Sequence, residues 1–377
     1  MTALISPTSG QTLTADTPHS LVDGWGGRWP VVDGIPYLRT ESEGLVALAL
    51  DHLDNGRPDE ALVALLTDQD AWWTGPATDL SDLRRLVAGR DTLSLRDAMA
   101  LLRFGPVADY FAYRWSDPTY LAGLALLEAH WNEPSHAFEL ACGIGHYLRE
   151  LTRRGVACLG ADVVFAKCWL AKYWVAPEAE YLVFDAGATW PVGTARFDLV
   201  QCHDAFYFMP RQEFVADRLR AAVAPGGTLA VSHVHNSGFA DGAKGPAKTA
   251  AEWGALFSDA TVYDENELVT ALMFAAVPKP TGWVDDEYVE AFSLVESAAA
   301  SPRAVEGGLA LPLKGAILRS NPLLTGRPYP DDVNWPSEPY KDEYGHNCFW
   351  RSEDEAAARS LNDPARTRRV VDLPDRW

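Results

Sequence analysis

The residues best placed to do chemistry begin with Phe138-Glu139-Leu140-Ala141-Cys142-Gly143-Ile144-Gly145-His146. An apolar run carries an acid near its end and is followed by a Gly-x-Gly turn. Glycine allows φ > 0 and lets a ligand approach the main chain closely. The next run, Tyr147-Leu148-Arg149-Glu150-Leu151, reads as a helix whose first N–H groups have no partner within the helix. A dinucleotide fingerprint would place a third glycine where Leu148 stands, which argues against a pyrophosphate ligand. A nucleoside without phosphates remains compatible, and Glu139 can hold a cationic amino group.

A nucleoside joined to an amino acid points to S-adenosylmethionine, and the following elements must position it. Val156-Ala157-Cys158-Leu159-Gly160-Ala161-Asp162 reads as a second buried strand ending in an acid, seventeen residues after Gly145. A carboxylate there can accept both ribose hydroxyls. Tyr181-Leu182-Val183-Phe184-Asp185-Ala186 is a third such run, and Phe197-Asp198-Leu199-Val200-Gln201-Cys202 a fourth. Helices fit residues 165–174 and 211–223, Pro225-Gly226-Gly227 is a turn, and residues 228–233 form a fifth strand. Alternating strands and helices predict an α/β, doubly wound, mostly parallel sheet with all carboxyl ends on one edge.

Methyl transfer needs donor and acceptor held in line, and some acceptors must lose a proton. The candidates at the ends of the fourth and fifth strands are His203, Asp204, Tyr207, His233, His235 and Asn236. His203 follows the fourth strand, and imidazole suits proton transfer near neutral pH. Tyr207 serves as pocket wall or proton carrier. His233 and His235 alternate along a strand, so they are expected to face opposite ways, with His235 as base or substrate contact. An Asp204–His235–Asn236 magnesium site is disfavoured, because imidazole is a poor ligand for that ion. No metal is expected.

The ordered motifs Glu139-x-x-Cys142-Gly143-x-Gly145, Gly160-Ala161-Asp162, Phe184-Asp185-Ala186, Phe197-Asp198-Leu199-Val200 and Ala224-Pro225-Gly226-Gly227-Thr228-Leu229 resemble those of class I S-adenosylmethionine-dependent methyltransferases over roughly 100 residues. The resemblance implies a Rossmann-like class I methyltransferase fold and S-adenosyl-L-methionine as cofactor, leaving S-adenosyl-L-homocysteine. It implies that Glu139, Ala141, Gly143 and Gly145 line the methionine part. Asp162 and Val163 would then meet the ribose, Asp185 and Ala186 the adenine, and His203 with its neighbours the transferred methyl. The family's sheet usually has seven strands with the last antiparallel, and residues 289–295 and 309–319 are the expected additional pair.

The flanks divide the chain into residues 1–40, a small β piece; 41–130, a helical segment or lid; 131–320, the cofactor domain; and 321–377, an aromatic-rich extension. Trp29-Pro30-Val31-Val32-Asp33-Gly34-Ile35-Pro36 reads as strand, Asp-Gly turn and strand. It resembles the small zinc-ribbon-like domain of the Trm112 type, with Ser6, Ser9, Val22 and Trp25 where that family has cysteines. The resemblance implies a piece without metal, held by packing of Trp25 and Trp29. In the helical segment, Tyr110, Tyr113 and Arg114 are candidates to face the ligand as a lid. The last residues, 351–377, read as a peripheral helix with a loose end.

Acids outnumber bases 52 to 32, for a net charge of −20, which disfavours a nucleic-acid partner. No apolar run is long enough to span a membrane, and no secretory signal is seen. Cys142, Cys158, Cys168, Cys202 and Cys348 are odd in number and lack C-x-x-C spacing, which fits reduced thiols in a cytoplasm. The expectation is a cytoplasmic methyltransferase acting on oxygen or nitrogen of a small-molecule acceptor, in the manner of secondary metabolism, with a homodimer possible. The alternatives are methylation of a protein or peptide, a non-catalytic binding module, and a nicotinamide oxidoreductase, the last weakened by Leu148.

Overall fold

The computed structural model describes residues 3–69, 75–297, 301–324, 333–344, 365–366 and 368–377. Cys348 and residues 351–364 of the expected tail helix lie outside these.

The N-terminal piece is a four-stranded antiparallel sheet of β1 (Thr14–Thr17), β2 (Ser20–Val22), β3 (Arg28–Val32) and β4 (Ile35–Pro36). Asp33 and Gly34, both at positive φ, make the two-residue turn between β3 and β4. The expectation that Trp25 helps hold this piece fails: it is 76% exposed, whereas Trp29 is buried. Hydrogen bonds do that work instead. Asp23 accepts from the Ser9 hydroxyl at 2.7 Å and from the N–H groups of Trp25 and Gly27 at 3.0 and 2.9 Å.

Residues 37–38 then run beside the cofactor domain, where Leu38 N–H donates to Val183 O at 2.8 Å. Six helices follow: α1 (Glu43–Asp54), α2 (Pro58–Leu65), α3 (Leu80–Gly89), α4 (Leu95–Leu101), α5 (Pro106–Tyr113) and α6 (Pro118–Ala129). A 3-10 turn, Arg114–Ser116, links α5 to α6. Asp117 caps α6 by accepting from Tyr120 N–H at 2.7 Å, with Pro118 in the first helical position. α6 is apolar and buried on every side, as expected of a helix between a sheet and further helices.

The central sheet contains β5 (His136–Leu140), β6 (Ala157–Asp162), β7 (Glu180–Val183), β8 (Phe197–His203), β9 (Val223–His235), β10 (Thr261–Asp264) and β11 (Ala291–Ser297). Their order is β10-β11-β9-β8-β5-β6-β7; β5 to β9 pair in parallel, and β11 is antiparallel to both neighbours. This is a Rossmann-like class I arrangement. The additional pair differs from expectation: residues 309–319 supply no central strand, and the second partner is β10. Four residues between two helices left too short a pattern to read.

Helices α7 (His146–Thr152), α8 (Phe165–Leu170), α9 (Gln212–Ala222), α10 (Ala250–Leu256) and α11 (Glu265–Phe274) flank the sheet. Alternate strand residues feed two cores: Ala137 and Leu199 join one with α6, while Phe138 and Val200 join the other with α9. The C-terminal region adds β12 (Arg319–Ser320), α12 (Glu338–Tyr344) and β13 (Val370–Val371). The expected loose end is tied down. Asp372 accepts from Arg149 at 3.0 Å and Arg153 at 2.6 Å, and Trp377 Nε1 donates to Ala112 O at 2.8 Å. Cys142, Cys158, Cys168 and Cys202 are buried free thiols.

Candidate active site

The glycine turn lies between β5 and α7. Ala141, Gly143 and Gly145 have φ of 56°, 52° and 83°. Asp162, at the end of β6, braces the turn: Oδ2 accepts from Gly143 N–H at 3.1 Å, and Oδ1 accepts from Val164 N–H at 3.0 Å. Val163 is half-buried beside it. Asp185, after β7, accepts from Gly187 N–H at 2.7 Å, and Ala186 is buried. Glu139 is buried, and Gln201 Nε2 donates to it at 3.1 Å. Burial raises the Glu139 carboxyl to about 8, against the opposing effects of Gln201 and Arg114.

These features fit a methionine-bearing nucleoside. Glu139 is a buried acid with no ion-pair partner among the described residues, so a ligand ammonium would favour its ionised form. Gln201 Oε1 and His203 Nε2 are buried without a hydrogen-bond partner among the described residues. The positive φ at Gly143 keeps a side chain out of the turn, where a Cβ would stand 3.0 Å from Phe111 Cε1.

α5 and its 3-10 extension cover the turn. His146 Nε2 donates to Phe111 O at 2.9 Å, and its ring lies 4.4 Å from that of Trp115. The same segment sends Tyr110 and Arg114 to Asp204, which follows β8. Asp204 Oδ2 accepts from Tyr110 at 2.7 Å and Arg114 at 2.9 Å, and Oδ1 accepts from Tyr207 at 2.9 Å. His233 Nε2 stands 3.8 Å from Oδ1, while its Nδ1 donates to Glu265 at 2.7 Å. Burial works against the Asp204 carboxylate, but His233, Arg114 and the tyrosine hydroxyls outweigh it and hold its pKa below the ordinary value. Burial also opposes the His233 imidazolium; Glu265 and Asp204 prevail and raise it to about 10.

His233 and His235 do not face opposite ways. Their rings are 4.6 Å apart, and His235 lies 4.5 Å from Tyr207. The reason is a bulge: Val234 pairs with Phe292 but Val231 with Leu294, and His233 has φ of 56°. Two residues of β9 therefore oppose one of β11, and alternation breaks. Burial and the His233 cation lower His235 to about 4, so it is a neutral imidazole near pH 7. His203 is bonded to Ser232 Oγ at 2.7 Å and stacks 3.9 Å from Tyr147; burial lowers it to about 3.

Tyr110, Arg114, Asp204, Tyr207 and His235 thus converge. Tyr113 does not join them; its ring packs against Tyr340 and Trp377, 6.1 and 6.0 Å away. Asn236 also turns aside and donates to Asp286 O and Val289 O at 3.0 and 2.8 Å. Sequence reasoning missed Glu265, which no motif marks. It also missed the part of His146 beneath the cover, although His146 directly follows the Gly-x-Gly turn.

Residues 138–231 match the methyltransferase domain family. No curated protein sequence matches the chain. Among solved structures it is similar to an S-adenosylmethionine-bound amino pentose methyltransferase of Micromonospora echinaspora, involved in calicheamicin biosynthesis. That likeness has 22% identity over 34% of this chain and 56% of that one, with a TM-score of 0.29. It is also similar to a TehB-like S-adenosylmethionine-dependent methyltransferase of Corynebacterium glutamicum, at 18% identity over 51% and 98% of the chains and a TM-score of 0.36. A third is a phosphoethanolamine N-methyltransferase of Haemonchus contortus, at 17% identity over 46% of each chain and a TM-score of 0.35. The chain spans about half the length of the first and third of these proteins.

Proposed function

We propose that this chain, which carries an S-adenosylmethionine-dependent methyltransferase domain of the Rossmann-like class I fold, methylates a small-molecule acceptor at oxygen or nitrogen, in the manner of secondary metabolism. The observation that carries the reading is the convergence on Asp204 of Tyr110 and Arg114 from the cover, Tyr207 from the loop and His233 from β9. This polar cluster stands at the sheet edge where the glycine turn also opens.

When bound, the cofactor supplies a methyl group activated on a sulfonium. Glu139 would hold its amino group, Asp162 with Val163 its ribose, and Asp185 with Ala186 its adenine. Ala141, Gly143 and Gly145 would leave room for its methionine part. His203, stacked on Tyr147, would wall the region of the methyl group.

Asp204 fixes the acceptor side. Its charge and three hydrogen bonds hold Tyr110, Arg114 and Tyr207 in one geometry, which favours an in-line approach. Its depressed pKa makes it a poor proton acceptor. His233, paired with Glu265 as a cation, has no lone pair to offer. His235 is neutral, and its Nδ1 lacks a hydrogen-bond partner among the described residues, so it can accept a hydrogen bond from the acceptor; lowered to about 4, it is a weak base and serves as a substrate contact.

The test is calorimetric titration with S-adenosylhomocysteine and NADH, using wild type and Asp162→Ala. Binding of the first near micromolar, lost in the variant, is expected. Binding of NADH, or unaltered affinity in the variant, would overturn the assignment.

A further inference from the structure

Two side chains of β8 carry bonding capacity that the protein itself does not use. Gln201 and His203 stand two residues apart on this strand and so share a face, and Gln201 pairs in register with Glu139 of β5. Both side chains are buried. Gln201 Nε2 donates to Glu139 at 3.1 Å, and His203 Nδ1 is bonded to Ser232 Oγ at 2.7 Å. The remaining polar atom of each, Gln201 Oε1 and His203 Nε2, has no hydrogen-bond partner among the described residues. Buried polar atoms are nearly always paired, so two bare ones on the face that also bears Glu139 point to a ligand.

The flat side of the His203 ring is held by Tyr147, in the first turn of α7. The two rings stack with centres 3.9 Å apart and planes 20° from parallel. The far end of Tyr147 rests on α6. A Cβ on Gly123 of that helix would overlap the Tyr147 hydroxyl oxygen and stand 2.8 Å from Cζ and 2.9 Å from Cε1. Gly123 is not among the glycines at positive φ, and inside a helix glycine is less stable than alanine. What it provides is space for the tyrosine. The Tyr147 hydroxyl makes only long contacts, 3.5 Å to the carbonyl oxygens of Thr119 and Tyr120, so the ring does the holding. Tyr120 and the Arg114 guanidinium pack around the same ring, at 5.0 and 5.8 Å from its centre.

Building on the methyltransferase reading, we propose that Tyr147, seated on Gly123, is a positioning residue that fixes the His203 imidazole so that the Nε2 lone pair, with Gln201 Oε1 on the same face, meets the positively charged end of the cofactor. In this arrangement Nδ1–H donates to Ser232 Oγ, which leaves Nε2 as the acceptor. Glu139 takes the ammonium of the cofactor's amino acid, and the two bare acceptors face the charge nearer the methyl group. An imidazole free to turn about its χ2 bond would present carbon as readily as nitrogen. The stack with Tyr147 removes that freedom.

The test compares two ligands by calorimetry near neutral pH: S-adenosylhomocysteine, which is neutral at sulfur, and sinefungin, which carries an ammonium where the cofactor carries its methyl. Wild type should bind sinefungin at least about tenfold more tightly than S-adenosylhomocysteine, because a fixed lone pair accepts a charged donor. Tyr147→Phe keeps the ring and should keep that preference. Tyr147→Leu removes the ring, and Gly123→Ala drives it from its seat; each should reduce the preference to about threefold or less. Nitrogen NMR of the wild type reads the His203 tautomer without any substitution, and an unprotonated Nε2 is expected. A protonated Nε2, equal binding of the two ligands by wild type, a preference lost in Tyr147→Phe, or one unaltered in Tyr147→Leu would overturn the positioning role. Binding of neither ligand to wild type would instead overturn the underlying methyltransferase reading.

Discussion

Replacing Asp204 by Asn removes one charge and almost no volume, so its effect reads the electrostatics of the cluster. The carboxylate accepts three hydrogen bonds, at 2.7, 2.9 and 2.9 Å, and faces His233 at 3.8 Å. The side chains of Arg114 and Asp204 are 4% and 3% exposed, so water cannot replace what is lost. Removing one partner of a buried pair costs about 3–5 kcal/mol. Arg114 keeps Asp117 at 3.7 Å and the amide oxygen still accepts a bond, which puts the expectation near the lower end, ~3 kcal/mol. At an unfolding entropy of about 2.1 cal/mol/K per residue, a chain of 377 residues shifts by about 1.3 °C per kcal/mol, so the melting temperature should fall by roughly 4 °C.

Calorimetric melting at pH 7 measures this directly, and NMR titration of His233 supplies a second readout. In wild type the folded pKa of His233, about 10, lies above the ordinary value of 6.5. Its contribution to stability is therefore complete below about pH 6.5 and is lost as pH rises through about 10. In Asp204→Asn the folded pKa should drop and that window should narrow. A variant melting within about 2 °C of wild type, or an unchanged His233 titration, would refute the claim that this cluster is a buried, charge-coupled network.

Three further outcomes are expected. Binding of S-adenosylhomocysteine at pH 7 should release up to about one proton, because Glu139 at about 8 is mostly protonated in the free protein and would ionise against the ligand ammonium; calorimetry in buffers of different ionisation enthalpy reads the proton count, and Glu139→Gln should abolish the release. Gly143→Ala should weaken cofactor binding and cost about 1–2 kcal/mol of stability, since φ is 52° and the new Cβ would stand 3.0 Å from Phe111 Cε1; urea unfolding and calorimetry test the two parts. Trp377→Ala should cost roughly 1–3 kcal/mol by removing its bond to Ala112 O and its contacts with Tyr113 and Arg96; hydrogen exchange should then increase across residues 106–116.

Local patterns made the parallel sheet legible. The glycine turn after Phe138-Glu139-Leu140 and the acids ending the next two runs are all signals within a few residues. Meetings between distant side chains were not legible in this way. Arg114 and Asp204 are ninety residues apart, and no spacing rule brings them to 2.9 Å. Tyr113 and Tyr110 looked equivalent in sequence, yet one faces Asp204 and the other Trp377, because a helix turns them apart. His233 defeated the alternation rule through a bulge whose cause lies in pairing with β11, a strand some sixty residues further on. β10 was too short to announce itself, and beside the buried Trp29 the hydrogen bonds of Asp23 do what packing of Trp25 was expected to do.

The placement of α5 has a consequence for how the two halves of the site communicate. Phe111 and Trp115 lie over the glycine turn through His146, while Tyr110 and Arg114, from the same segment, bond to Asp204. A ligand entering either half must therefore meet one continuous element. Any shift of α5 on cofactor binding would alter the hydrogen bonds to Asp204, and an acceptor that reorganises those bonds would act back on the glycine turn. Linkage requires the two effects to be equal in free energy. A ligand bound on the Asp204 side should therefore change the affinity for S-adenosylhomocysteine by the same factor that S-adenosylhomocysteine changes the affinity for that ligand. Arg114→Lys keeps the charge but cannot reproduce the planar guanidinium contact, so it should bring that shared factor toward one. Equal coupling in wild type and variant would show that the two halves communicate through the sheet rather than through α5.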